Sequence, residues 1–382
     1  MGHRMIATQA YGAARVAAPA LHEHFHRHLD AARRGEMKLG TLPDPATIEL
    51  MIDAAFWASL RREEGYQPLI SLAYLQPEQA ADPLVFEQSL PLTPGALTRV
   101  APAVERPGIH LGVWPEGEDL RVWGTTRAVP TFCFVLEVAA PGLLVVKHDR
   151  GDEHLKFVNV AVLEGDEIKM IDEAASSLPD CPPLLTSLLG FESPATWNRP
   201  VNVLVQVAVS MREHGRGGAL LVVPSGNDAW RESIVEPVRY AVRPYAALTQ
   251  LLGRSDEEKG LASWRDELTR AVDALAGLTA VDGATVLTDR HELLAFGAKL
   301  RRRDGQPQIE QVAVTEPIEG GTAALVHPTQ IGGTRHLSAA QFVHDQRDAV
   351  ALVASQDGRF TVFAWSPCEQ RVHAHRVEVL LL

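Results

Sequence analysis

The sequence contains few cysteines and no long hydrophobic run, and both absences limit what the protein can be. Cys133, Cys181 and Cys368 are far apart and odd in number, so they predict neither a zinc site nor a disulfide framework. No stretch approaches the ~20 continuous apolar residues of a membrane helix. The first residues also lack the charged start and unbroken apolar run of a signal peptide. We therefore expect a cytoplasmic protein without a membrane partner.

An excess of basic residues is also missing. The chain has 36 lysines and arginines against 48 aspartates and glutamates, a net charge of -12 at pH 7. This balance argues against a protein that coats DNA or RNA, because such proteins present clustered positive charge to the phosphates. No Walker A sequence (G-x-x-x-x-G-K-S/T) is present, so we do not expect a P-loop nucleotidase.

Length and residue pattern together predict two domains. A chain of 382 residues is too long for one ordinary core. Residues 1–175 start with helical periodicity and continue as short β-rich runs, which predicts an α+β domain with a meandering sheet. Residues 176–199 are rich in serine and proline and are the expected linker. Residues 200–382 alternate helices and strands, which predicts an α/β domain with a mixed sheet flanked by helices.

The expected elements can be placed along the chain. In the first domain we expect a helix over about 13–34, then a second helix that starts at the cap Asp44-Pro45. In the second domain we expect helices at 201–214, 255–278 and 334–346, a hairpin of 286–287 with 293–296, and strands at 349–354, 360–365 and 372–381.

Three short segments of the second domain carry residues that could bind a ligand. The first, Asp282-Gly283-Ala284, directly precedes an apolar run. An acid before a strand can hold a metal or accept a hydroxyl proton, and two small residues let the backbone approach a ligand closely. Taken alone, the same tripeptide is typical of a plain turn.

The second segment, Gly332-Gly333-Thr334-Arg335-His336, precedes a stretch suited to a helix. Glycines that open a helix present backbone N–H groups and the positive dipole end to an anion, and Arg335 adds a forked donor for phosphate oxygens. An N-cap with a surface arginine explains this segment equally well. The third segment, Ser355-Gln356-Asp357-Gly358, lies between two expected strands and on local grounds predicts a hairpin turn.

The order of the three segments resembles that of the diadenylate cyclase (DAC) domain. That family carries Asp-Gly-Ala, then Gly-Thr-Arg-His-Arg-Ala-Ala at a helix start, then Ser-Glu-Glu between two later strands. The resemblance spans about residues 201–365 and includes a glycine-containing helix-turn-strand at Met211–Pro224. It implies a nucleotide-binding homo-oligomer, because family members join two ATP molecules, held in facing subunits, into cyclic di-AMP with a divalent metal.

The resemblance also implies roles for particular residues. In an active enzyme, Asp282 would bind Mg²⁺ or Mn²⁺ and steer the attacking 3′-hydroxyl. The other implied nucleotide-binding residues, which would contact the nucleoside or its phosphates, are Gly283, Ala284, Gly333, Thr334, Arg335, His336, Ser355 and Gln356.

Two departures from the family pattern affect the expected activity. Leu337 stands where the family has its second arginine, and Gln356-Asp357 replaces a pair of glutamates. An arginine can contribute roughly 10³-fold or more to phosphoryl transfer. We therefore expect a DAC-like sensor of a purine nucleotide or cyclic dinucleotide, with weak or no cyclase activity and no cofactor. The alternatives are an active diadenylate cyclase and a scaffold with an empty pocket.

Two further clusters receive ordinary interpretations. His22, His24, His26 and His28 form i, i+4 pairs that could bind a metal, but the pairs lie on different faces of the expected helix, so a solvated helix surface is the better interpretation. The basic run Arg301–Arg303 is expected to be an exposed loop. Otherwise it lies at the mouth of the pocket and replaces the missing arginine.

Overall fold

The computed structural model describes residues 10–32, 39–81, 83–106, 108–149, 157–172, 203–238 and 240–382. The chain divides into two compact units, one comprising Met1–Ile171 together with Leu382 and the other Asp172–Leu381. The predicted linker, residues 176–199, lies outside the described residues, so the domain boundary stays a prediction. Each unit is described by itself below.

In the described part of the first unit, three helices pack on one face of the sheet. In α1 (Gly12–Ala32) the small and apolar residues at helical spacing, such as Leu21 and Phe25, are buried against the sheet and α2 (Pro45–Ser59). The predicted cap of α2 is confirmed, because the Asp44 carboxylate accepts the N–H of Thr47 at 2.7 Å. The third helix, α3, covers Pro94–Val100.

The first unit contains a mixed sheet with strand order β2-β4-β3-β1-β5-β6-β7-β8. Strands β5 to β8 form the predicted meander, whereas β1 runs parallel to β3 and antiparallel to β5. The strands are β1 (Ile70–Tyr74), β2 (Leu84–Pro91), β3 (His110–Glu116), β4 (Asp119–Thr126), β5 (Val135–Ala140), β6 (Leu143–Asp149), β7 (Phe157–Glu164) and β8 (Glu167–Met170).

The structure corrects the prediction that the four histidines of α1 form a solvated surface. His24 is only 4% exposed, and its ring lies 4.5 Å from that of His28 and 6.5 Å from that of His148, measured between centroids. The prediction of a solvated surface is therefore wrong for His24. Residues at every second position point in different directions around a helix. Four of them therefore cannot all face solvent when one face of that helix is buried. Among the described residues, no group of three or more His, Cys, Asp or Glu side chains is placed to hold a metal ion.

The second unit is built around a mixed sheet with helices on both faces. Its strand order is β10-β12-β11-β9-β15-β16-β17-β13-β14. The central strand β9 runs parallel to β11 and antiparallel to β15. The strands are β9 (Gly218–Val223), β10 (Tyr240–Tyr245), β11 (Ala284–Thr288), β12 (Leu293–Ala298), β13 (Val312–Thr315), β14 (Ala324–Val326), β15 (Val350–Ala354), β16 (Phe360–Ser366) and β17 (Arg371–Arg376).

The alternation of side chains along β9 explains the layers. Leu220 packs with helices α4 (Val203–Glu213) and α7 (Ala262–Thr279) on one face, whereas Leu221 packs with α8 (Thr334–Asp345) on the other. Two shorter helices, α5 (Ala247–Leu252) and α6 (Asp256–Lys259), precede α7. Both faces of β9 are buried, as its continuous apolar sequence predicts.

Some elements differ from the prediction. The helix expected over 255–278 is divided into α6 and α7, because Leu261 has extended backbone angles (φ -75°, ψ 141°) directly after Gly260. Strand β10 at one edge of the sheet, and the pair β13 and β14 toward the other edge, were not predicted. The predicted fold class, an α+β unit followed by a mixed sheet flanked by helices, is confirmed. Within the described part of the chain, no helix has the length and apolar character to cross a membrane.

Candidate functional site

The three predicted segments meet where β9 and β11 start and β15 ends. We call this end of the central strands the site edge of the second sheet. Ala219, near the start of β9, pairs with Ala284 on β11 and with Val353 on β15. Because β9 and β11 run in the same direction and β15 runs in the opposite one, the starts of β9 and β11 lie beside the end of β15. The residues that directly flank these strands, Asp282 and Ser355, therefore lie at the same edge.

The start of α8 reaches this edge through Arg335. A Cβ atom added to Gly217 would lie 2.8 Å from Nη1 of Arg335, 3.3 Å from the carbonyl oxygen of Ala354 and 3.4 Å from Cγ of Gln356. Gly217 also has a φ of +68°, which other residues rarely adopt. The glycine before β9 thus leaves the space that the Arg335 side chain occupies.

Asp282 carries the negative charge of the site and is bonded to a lysine. Its Oδ2 lies 2.5 Å from Nζ of Lys299, and its side chain is 89% exposed. The hydrogen bond and charge of Lys299 lower the pKa of Asp282, and the charge of Arg335 lowers it further. Asp282 is therefore ionised at neutral pH and lies within electrostatic reach of two cations.

A cavity of about 320 Å³ opens beside this ion pair. Its described lining residues include Asp282, Lys299, Gly297 and Tyr240, but not Thr334, Arg335 or Ser355. The Tyr240 ring stacks on Phe296 with centroids 4.8 Å apart and an interplanar angle of 3°. Of the predicted site residues, Asp282 is therefore the one that connects the cavity to the Arg335 side of the edge.

Gly283 and Ala284 are small because of packing within the sheet. Gly283 has a φ of +123°, and a Cβ atom there would overlap the backbone of Gly297. Ala284 is 1% exposed and belongs to the core beneath α8. The structure thus gives both residues a packing role, and neither is among the described lining residues of the cavity.

The residues at the start of α8 have different environments. Gly333 precedes the helix as its N-cap residue, and it is exposed, as is Thr334. His336 is 3% exposed, and its Nε2 has no hydrogen-bond partner among the described residues. Burial lowers the pKa of His336, while the nearby Asp357 carboxylate opposes this shift. Leu337, where the DAC family has an arginine, packs against the core of the sheet.

The segment after β15 forms the hairpin turn that local sequence predicts. The N–H of Ser355 donates to the carbonyl oxygen of Arg359 at 2.9 Å. Asp357 is hydrogen-bonded by Ser355 and lies 3.5 Å from Nε of Arg359. Gln356 is exposed and donates from Nε2 to the carbonyl oxygen of Arg216 at 3.4 Å. The turn therefore places Gln356 close to Gly217, beside Arg335, and the Asp357 carboxylate near His336.

The contacts of the basic run Arg301–Arg303 lie away from Arg335. The backbone N–H of Arg303 donates to Asp345 at the last turn of α8, and its Nε lies 2.5 Å from Glu232. Arg301 donates to the carbonyl oxygen of Ile234 at 3.2 Å. Arg303 also lines a second cavity of about 300 Å³ beside Trp230 and Arg347. Arg303 thus lies at the opposite end of α8 from Arg335, and no described contact brings Arg301 to Arg335.

The donor set does not fit a divalent metal. Mg²⁺ and Mn²⁺ bind carboxylate and other oxygen ligands. At this edge Asp282 is bonded to an ammonium group, and Asp357 is bonded to Ser355 and paired with Arg359. A metal at Asp282 would have to share the carboxylate with Lys299, so we derive no chemical step through a metal.

Sequence reasoning missed Lys299 and Tyr240. The signal for Lys299 lies in the predicted hairpin. Ala284 pairs with Ala298, so the next residues outward, Gly283 and Lys299, are neighbours across the two strands. Tyr240 lies on an edge strand whose sequence shows no clear alternation, and its place over Gly297 follows from tertiary packing alone.

Comparisons with known proteins agree with part of this description. Residues 37–127 match the family model described as Probable sensor domain DACNV. The match covers about a quarter of the chain and lies in the first unit, outside the segment that carries the three motifs. The predicted resemblance to a DAC-like sensor branch is confirmed at this level, because the family model that matches residues 37–127 is described as a probable sensor domain.

One solved structure and one negative result complete the comparisons. The chain is similar to a crystal structure of DacA from Staphylococcus aureus, a double cysteine mutant, with 13% sequence identity and a TM-score of 0.24. The similarity covers 45% of this chain and 83% of that chain. A TM-score at this level carries no argument about function. No curated protein matches the sequence.

Proposed function

We propose that the second unit of this DAC-like sensor protein binds a purine nucleotide or a cyclic dinucleotide and has weak or no cyclase activity. One observation carries the proposal, namely the convergence of the start of β9, the start of β11, the end of β15 and the start of α8 around Arg335. The last three of these carry the segments that the DAC resemblance assigns to the nucleotide site.

The chemistry of the edge supports a phosphorylated ligand. Arg335 supplies a forked guanidinium group and Lys299 a compact ammonium group, and both are suited to phosphate oxygens. The neighbouring cavity has an aromatic side chain, Tyr240, in its wall, and aromatic side chains commonly stack on bases. Its volume of about 320 Å³ is at the lower end of small-molecule sites.

Two observations favour a sensor over an enzyme. Leu337 packs against the core and supplies no phosphate donor, and Asp282 is bonded to Lys299. The probable sensor domain of residues 37–127 also supports a signalling role. In this proposal the protein is cytoplasmic and homo-oligomeric, and the first unit relays the binding event.

An active diadenylate cyclase is the second candidate. Asp282 and Arg335, the acid and the first arginine of the DAC pattern, are retained and interact electrostatically. The enzyme would form cyclic di-AMP from ATP, whereas the sensor would bind nucleotide and form little or no cyclic di-AMP.

Incubation with nucleotide separates these candidates. The purified full chain is mixed with ATP or GTP, with and without Mg²⁺ or Mn²⁺, and products and bound nucleotide are identified by mass spectrometry. We expect bound nucleotide and little or no cyclic di-AMP. Robust metal-dependent formation of cyclic di-AMP, abolished by Asp282→Asn, would favour the enzyme. An Asp266→Asn variant on the exposed side of α7 is the matched control.

A further inference from the structure

Asp282 is bonded to a lysine, and this ion pair bears on whether the site binds its ligand with a metal. Lys299 directly follows β12, next to the position where Ala298 pairs with Ala284. Its Nζ lies 2.5 Å from Oδ2 of Asp282, and both residues line the same cavity. The ammonium group therefore lies where a cation bound to Asp282 would lie.

A lysine and a divalent metal compete for the same carboxylate. Each needs the negative charge of Asp282, and two cations on one carboxylate repel each other. A second acid at this edge, Asp357, is engaged by Ser355 and Arg359. The edge thus has no second described carboxylate that is free to offset the charge of an added metal.

The same lysine supplies a positive charge at a site that lacks the second arginine of the DAC pattern. Leu337 removes one cation from the expected phosphate clamp, which leaves Arg335 as the arginine at the start of α8. An ammonium group has three N–H donors, so Lys299 can keep one bond to Asp282 and direct another to a ligand oxygen. Lys299 and Arg335 both interact with Asp282, and the carboxylate holds the two cations at the same edge.

We propose that Lys299 takes the place of the divalent metal in this site, so that the protein binds its phosphorylated ligand without metal through Lys299 and Arg335. This inference rests on the proposed function, because it assumes that a nucleotide occupies this edge. It assigns Asp282 to hold Lys299 and gives Asp282 no role as a metal ligand.

Binding measurements with and without chelator test this inference. Cyclic di-AMP and ATP are titrated into the full chain by isothermal calorimetry, in EDTA and separately in Mg²⁺ or Mn²⁺. We expect the wild type to bind with affinities that agree within about twofold. Lys299→Met should weaken binding about tenfold, the effect of losing one exposed charge-assisted hydrogen bond. Lys299→Arg should restore most of the affinity.

The Asp282→Asn variant distinguishes the two accounts. If Asp282 only holds Lys299, this variant weakens binding no more than Lys299→Met does, and equally in EDTA and in Mg²⁺ or Mn²⁺, because only the positioning of the cations by the carboxylate is lost. If Asp282 binds a metal, the affinity is lost. Binding that requires Mg²⁺ or Mn²⁺ and disappears in Asp282→Asn would overturn the inference and leave the proposed function standing. Absence of binding by the wild type under every condition would instead overturn the proposed function. Lys259→Met, at the end of α6, controls for a general loss of positive charge.

Discussion

Replacement of Arg335 by alanine is the most direct perturbation of the proposed phosphate clamp. The guanidinium group lies against Gly217, close to Ala354 and Gln356, and its charge acts on Asp282. A charge-assisted hydrogen bond contributes about 1.5–3 kcal/mol. We therefore expect Arg335→Ala to raise the Kd for cyclic di-AMP or ATP about 10- to 150-fold.

The assay must separate lost binding from lost folding. Arg335 is half-buried at the first turn of α8, so we expect the fold to persist with a Tm within a few degrees of the wild type. Arg335→Lys keeps the charge but loses the forked geometry, and its affinity should be intermediate. Arg302→Ala, in the exposed basic run, is the matched control and should bind as the wild type does. An unchanged Kd for a folded Arg335→Ala protein would refute the reasoning.

Two further predictions concern stability. Gly283→Ala should lower the free energy of unfolding by at least about 2 kcal/mol in chemical denaturation, since the residue has φ +123° and its Cβ would overlap Gly297. Gly277→Ala, in a helix with open space around the new methyl group, should be neutral or stabilising by up to about 1 kcal/mol, and equal effects of the two substitutions would contradict the packing argument. In the first unit, burial lowers the pKa of His110 to about 4, and its Nδ1 lies 2.7 Å from the Ser71 hydroxyl. A histidine whose folded pKa is lowered contributes its full stability above the unfolded pKa of about 6.5 and loses it as the pH falls toward 4. Urea denaturation should therefore show a loss of up to about 3 kcal/mol over this interval, and the same slope in a folded His110→Asn variant would contradict the assignment.

The parts of the fold that follow from local chemistry could be predicted. Asp44-Pro45 specifies the start of α2 because the cap satisfies a free N–H within four residues. The apolar runs of β9 and β15 indicate buried central strands. By contrast, β2 is mostly exposed along its length, and its place at the edge of the sheet depends on pairing with β4, which no local pattern indicates.

The candidate site was predictable in outline only. Motif order indicated that Asp282 and Arg335 approach each other, because in the DAC resemblance the segments that carry them form one nucleotide site. The space that Arg335 fills depends on Gly217, whose close approach to α8 is a tertiary contact. The bond between Lys299 and Asp282 depends on a hairpin register that shifts within the β11–β12 pair, so the sequence alone could not fix it.

A crystal structure with bound cyclic di-AMP tests the central claim most directly. The account predicts ligand phosphates within hydrogen-bond distance of Arg335 and Lys299, at the edge formed by Gly217, Asp282 and Gln356. The base should lie in the cavity beside Tyr240. Ligand bound in the other cavity, beside Trp230 and Arg347, would contradict the account, as would a soaked crystal with an empty edge.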